Sequence, residues 1–202
     1  NNGNGNASGH ARVFEFDGLN WTQVGIDIDG ATAGDYFGWS LSLNSDGSKL
    51  AVGARDGRNL NGQHFGYVKI YEDIFGSWSQ IGQTIYGNNL NDYEGWSVSL
   101  SGNGDTVSVA ALNDISFGPY IGRVRTFFNN GGTWTQIGQN IFGDQQDSWS
   151  GSNISLSSNG NILAISAPQY DVNGTNTGIV KIYNENAGTW IQIGSDIEGD
   201  TA

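Results

Sequence analysis

Trp21-Thr22-Gln23-Val24-Gly25, Trp78-Ser79-Gln80-Ile81-Gly82, Trp134-Thr135-Gln136-Ile137-Gly138 and Trp190-Ile191-Gln192-Ile193-Gly194 are four copies of one pentapeptide. Their tryptophans follow one another at intervals of 57, 56 and 56 residues. A fixed period of that size marks one supersecondary unit copied in tandem, each copy burying its apolar face against its neighbours. A residue that returns in every copy therefore reads first as architecture.

Upstream of the second pentapeptide, Trp39-Ser40-Leu41-Ser42-Leu43 alternates large apolar with small polar residues, the period of a strand. Asn44-Ser45-Asp46-Gly47 then supplies a hairpin signal. Lys49 to Ala54 is a short apolar strand, and the glycine- and asparagine-rich stretch 55–65 is a loop. Gly66 to Tyr71 alternates again, and a turn at Phe75-Gly76-Ser77 leads into a fourth strand over Trp78 to Ile85. Later copies keep this order: first strands at Gly95–Leu100 and Gly151–Leu156, third strands at Gly122–Phe127 and Gly178–Tyr183. No stretch combines helical periodicity with caps. The expected fold is all-β, with tandem four-stranded antiparallel blades of a β-propeller, about three and a half repeats of ~56 residues. A β-solenoid is the rival, but its rungs repeat in shorter units. The expected partition is one repeat region over 1–202, with a partial copy at 9–37 and copies at 38–94, 95–150 and 151–202. Because the first copy opens at a third strand, further repeats of the same polypeptide or self-association are expected to complete it.

The repeat resembles the FG-GAP repeat of integrin alpha-subunit propellers, and tandem WTQIG-type relatives in secreted bacterial and algal proteins. Phe37-Gly38 matches the FG element, Gly53-Ala54 and Ala167-Pro168 the GAP element, and Gly66–Tyr71, Gly122–Phe127 and Gly178–Tyr183 the Gly-x-Val-x-x-aromatic strand. The resemblance implies a propeller and, in many members, a calcium loop with aspartates at alternating positions. Here the hairpin turns hold one carboxylate or none (Asp46 alone), short of the six to eight oxygens Ca²⁺ requires. The family calcium site is not carried over.

The 202 residues carry a net charge of −12, with only 8 Lys and Arg. Such a surface repels phosphate backbones, so nucleic acid is not an expected partner. No apolar run reaches the ~18–20 residues of a membrane span, and membrane insertion is not expected. Cysteine and methionine are both absent, so thiol chemistry is excluded and Asn1 is read as the start of a processed or excerpted chain.

Each candidate site has a plainer reading in packing or solvation. Acidic clusters follow the fourth strands: Asp27, Asp29 and Asp35 in one copy, Asp144 and Asp147 in another, Asp196, Glu198 and Asp200 in the last. Asp27, Asp29, Asp35, Asp196, Glu198 and Asp200 are the candidate Ca²⁺ ligands, with solvated loop charge as the plainer reading; no other cofactor is expected. Tyr36, Tyr93 and Trp149 share one repeat position, and Trp39 and Trp96 another. They read either as inter-blade packing or as a rim on which sugar rings stack. Asn6, Asn20, Asn153 and Asn173 head Asn-x-Ser/Thr sequons, candidate glycosylation sites. The only histidines, His10 and His64, fall in long loops, and no nucleophile motif is present. The resulting expectation is a non-enzymatic extracellular or cell-surface protein serving structure, adhesion or assembly into an array or filament. The alternative is a glycan- or Ca²⁺-binding, lectin-like propeller domain.

Overall fold

In the computed structural model, which describes residues 4–200, every regular element is a β-strand and every strand pair is antiparallel. The first sheet is one hairpin with both arms broken once: β1 (His10–Ala11) pairs with β4 (Ile28–Asp29), and β2 (Phe14–Phe16) with β3 (Trp21–Gln23). The second runs β5 (Phe37–Leu43), β6 (Lys49–Ala54), β7 (Tyr67–Asp73), with β8 (Trp78–Gln80) and β9 (Ile85–Tyr86) both on the far edge of β7. The third runs β10 (Glu94–Leu100), β11 (Thr106–Ala111), β12 (Arg123–Asn129), β13 (Trp134–Phe142). The fourth runs β14 (Ile154–Leu156), β15 (Ile162–Ala167), β16 (Ile179–Asn186), with β17 (Thr189–Gln192) and β18 (Ile197–Glu198) both on β16. The chain is an all-β array of propeller blades. His10 lies in a strand, not in a loop; His64 lies in the loop between β6 and β7.

Departures from the alternation are of two kinds, breaks in the fourth strand of the second and fourth sheets and a shortened first strand in the last. The fourth strand breaks after Gln80 and resumes at Ile85. Gly82, at φ 70°, turns the chain there, and the Gln80 Nε2 amide crosses the break to the Gly82 carbonyl (3.1 Å). The last first-strand is regular only over Ile154–Leu156; ahead of it Ser166 donates its N–H (3.0 Å) and hydroxyl (3.2 Å) to the Asn153 carbonyl and accepts the Gly151 N–H (2.9 Å) on its own carbonyl, a two-against-one pairing.

The pentapeptide explains how blades join. The Trp78 indole N–H donates to the Val24 carbonyl (2.9 Å), and that of Trp134 to the Ile81 carbonyl (3.0 Å). Each ring lies on the pentapeptide glycine of the preceding blade: a Cβ added at Gly82 or Gly138 would stand 2.7 or 2.6 Å from Cδ1 of Trp134 or Trp190. The following glutamine closes the joint. Gln83 accepts from the Trp134 N–H (3.0 Å) and donates to its carbonyl (2.6 Å), and Gln139 does the same to Trp190 (3.0 and 2.6 Å).

The inner strands are joined by serines. Ser42 accepts the Leu100 N–H, Ser97 that of Ile154 and Ser99 that of Leu156, while Ser40 donates to the Gly95 carbonyl (2.8–3.2 Å). The polar side of the alternation thus faces the following blade and the apolar side the preceding one. Val98 and Leu100 are 6% exposed against the second sheet, while Leu41 and Leu43, beside the two-armed first sheet, stay 49% and 47% exposed. Accordingly each apolar cluster draws on two consecutive sheets, as when Val68 and Ile70 pack with Val98, Val107, Val109 and Trp134.

One blade replaces apolar core with charge. Glu94 stands where the second sheet has Phe37, and Arg123 where it has Tyr67. Arg123 donates to Asp114 (2.5 Å), Glu94 (2.8 Å) and Asp92 (3.0 Å), and Arg125 lies 2.8 Å from Glu94. All but Arg125 are essentially sealed from solvent. Burial works to lower the Arg123 pKa, but the fields of Glu94, Asp92 and Asp114 outweigh it and hold the group charged. Burial also raises the Asp92 carboxyl, against the N–H groups of Asn89 and Asn88 and the Arg123 charge. Asp92 thereby ties the loop before β10 to the blade.

Three outcomes are expected. Trp134→Ala removes a 3%-exposed ring from a blade joint and should cost about 3–5 kcal/mol in urea unfolding. Trp21→Ala, at the same repeat position but 68% exposed, should cost under about 1 kcal/mol. Arg123→Met leaves three carboxylates with one guanidinium and should cost about 3–5 kcal/mol at neutral pH. Burial already raises the Asp92 carboxyl above its unfolded value and Arg123 opposes that rise, so without Arg123 the penalty at neutral pH grows and is relieved as pH falls through the raised Asp92 value. The measured loss should therefore shrink toward acid.

Candidate functional site on the inner rim

The turn before each first strand presents an aromatic ring in the same unusual way. Tyr36, Tyr93 and Trp149 have φ of 52°, 59° and 58°, a left-handed conformation that costs a non-glycine residue on the order of 1–3 kcal/mol. Their carbonyls accept the N–H of Trp39, Trp96 and Ser152 three residues on (3.0–3.1 Å), which holds the turn. The result is an arc across three blades. Trp39 and Trp96 meet at 5.2 Å between centroids, Tyr93 and Trp96 at 6.4 Å, Trp96 and Trp149 at 6.5 Å, and Tyr120 and Trp149 at 6.2 Å.

Arg55, the first residue after β6, lays its guanidinium 3.8 Å over the Trp39 ring, with the Tyr36 and Trp96 rings 5.1 and 5.3 Å away. Its Nε is buried, makes no hydrogen bond, and lies 3.2 Å from the half-buried Asp56 carboxylate. In its Nδ1–H tautomer His64 donates to the Asp56 carbonyl (2.9 Å) and steadies the loop. Beside the arc, Trp39, Ser40, Leu41, Trp96, Ser97, Ser152 and Asn153 line an open depression of about 540 Å³ along the three inner strands. Aromatic faces, hydroxyls and an amide around an open groove, with a guanidinium against the Trp39 ring that lines it, suit a polyhydroxylated ring, whose C–H faces stack while its oxygens take hydrogen bonds.

The candidate cation ligands are dispersed. Asp27 accepts from Arg12 (2.6 and 2.8 Å) and Gln23 (2.9 Å), which hold its pKa down at about 2. Asp29 pairs in register with His10. Asp35 is buried, accepts the Tyr67 hydroxyl (3.2 Å) and lies 3.7 Å from Arg58; burial raises its pKa. Asp196 takes the Gln192 amide (2.6 Å), Glu198 the Asn173 amide (3.2 Å), and Asp200 is exposed. Among the described residues no group of three or more His, Asp or Glu is arranged to hold a metal ion. The sequon asparagines Asn6, Asn20, Asn153 and Asn173 are all exposed. Sequence reasoning found the aromatics of the rim but missed Arg55 and Asp56, which lie in a loop with no repeated spacing. It also missed the buried charges, although Glu94 for Phe37 and Arg123 for Tyr67 are visible once the copies are aligned.

No protein-family profile matches this chain. No curated protein matches it either. Among solved structures, a candidate 6-phosphogluconolactonase from Bacteroides uniformis is similar at a TM-score of 0.65 and 17% identity, over 96% of this chain and 50% of its own length. Another candidate 6-phosphogluconolactonase, from Bacteroides fragilis, is similar at 0.54 and 21% identity, over 79% of this chain and 38% of its own. The chain thus spans half or less of the length of these two proteins. The likeness establishes the fold, a β-propeller. It also corrects the FG-GAP resemblance, since these neighbours are lactonase-named propellers and not integrin-type repeats. The Gly38 and Gly53 motifs that carried that resemblance are steric needs of a blade: a Cβ on Gly53 would stand 2.2 Å from the Gly95 carbonyl oxygen. The expectation of a non-enzymatic structural, adhesive or filament-forming protein is overturned with it, and the extracellular assignment loses its support.

Proposed function

We propose that this chain belongs to an enzymatic propeller that hydrolyses sugar-derived lactones, with its site on the inner rim at Arg55. The observation that carries the proposal is the Arg55 guanidinium 3.8 Å over the ring of Trp39, which itself lines the open groove, in a fold of the kind found in the lactonase-named neighbours. The lactone ring stacks on the aromatic arc. Arg55 N–H groups face the carbonyl oxygen, whose charge grows as water adds. The Asp56 carboxylate takes the proton of that water and returns it to the ring oxygen as the C–O bond breaks, leaving a hydroxy acid. The stacking and the serine ties hold both residues on rigid strands or immediately beside them.

The test is proton release from an aldonolactone followed at constant pH. Arg55→Gln is expected to lower kcat/KM by about a hundredfold or more, the usual cost of one lost oxyanion donor. Trp39→Ala should act mainly on KM. Hydrolysis no faster than the uncatalysed rate, or an Arg55→Gln variant as active as the parent, would sink the proposal.

A further inference from the structure

Resting on that reading, we infer that the rim site takes a neutral sugar lactone and excludes the same lactone carrying a phosphate ester. The chain has 8 cationic side chains, and each is committed elsewhere, lies away from the groove or stands beside a carboxylate. Arg123 and Arg125 are committed to the buried carboxylates of the third sheet. Arg12 is held by Asp27 (2.6 Å), Lys49 by Asp105 (2.8 Å) and Lys181 by Asp144 (2.5 Å), each at a sheet or turn outside the groove. Lys69 is half-buried over the Tyr67 ring (5.4 Å), does not line the groove, and burial lowers its pKa.

Two guanidiniums remain near the rim, and each is offset. Arg55 has Asp56 at 3.2 Å, and Arg58 has the sealed Asp35 carboxylate at 3.7 Å while donating to the Ala33 carbonyl. A phosphate dianion is normally met by several unneutralised Arg or Lys groups or by a helix N-terminus. Among the described residues the rim has no cation in excess of its carboxylates and no helix is present, and the chain as a whole carries −12. A neutral ring needs none of these and finds aromatic faces, hydroxyls and the Asn153 amide.

The experiment titrates the chain's tryptophan fluorescence with two unreactive lactams, one neutral and one bearing a phosphate ester on its exocyclic carbon, at low and high ionic strength. Hydrolysis of the corresponding lactones is measured alongside. The phosphate ester is expected to bind about tenfold more weakly or worse at low salt, with the gap narrowing as salt screens the repulsion. Asp56→Asn, which frees Arg55, should recover several-fold of the phosphate ester's binding relative to the neutral ligand. Equal or tighter binding of the phosphate ester, weakening with salt, overturns this inference and leaves the lactone reading standing. Failure of both ligands to bind together with no hydrolysis of either lactone overturns both.

Discussion

The second, third and fourth blades are each held by a tryptophan lying on its predecessor's glycine. The contact is steric and polar together: the ring needs the space a missing Cβ leaves at Gly82 or Gly138, and in the first two joints the indole N–H meets the carbonyl just before that glycine. Gln83 and Gln139 then bind both main-chain groups of the next tryptophan, so the outer edges of adjacent sheets are tied although no ladder runs between them. The serines of the inner strands do the same at the other edge. Between these two polar seams the apolar residues of consecutive sheets close on one another, and burial there is the main stabilising term.

The third sheet shows what the scheme tolerates. Exchanging an aromatic pair for a five-membered ionic cluster keeps the volume filled but replaces non-directional burial by groups that must all be matched. The three carboxylates face two guanidiniums, and the main-chain N–H groups of Asn88 and Asn89 join Arg123 on Oδ2 of Asp92, while its buried Oδ1 has no hydrogen-bond partner. Through Asp92, which takes the Asn88 and Asn89 N–H groups and an Arg123 N–H, the cluster is joined to the loop ahead of Tyr93. The rim aromatics are therefore set on turns that are themselves anchored, by Asp92 in one blade and by Asp35 with Tyr67 in another.

Placing function on this frame meets a general difficulty. The short glycine motifs of a blade are consequences of close backbone approach and of positive φ, so they recur wherever four-stranded blades pack, whatever the protein does. Chemistry has to be sought in residues that break the repeat. Arg55 and Asp56 are such residues, in a loop that differs in length and composition from its counterparts, and they adjoin the groove that the inner strands leave open.

The sequence by itself determined the class of fold, the order of strands and the identity of the repeated anchors. All of these rest on period and alternation, which are local properties of a chain. It also showed the aromatic columns at Tyr36, Tyr93 and Trp149, because they recur. Only the tertiary structure decided which side of the first strand faces which neighbour, that Arg55 lies on Trp39, and that Glu94 and Arg123 meet inside a blade. It also decided that each cation is already matched or lies away from the rim. Those facts depend on distances between residues tens of positions apart, set by how successive sheets stack, and no spacing along the chain encodes them.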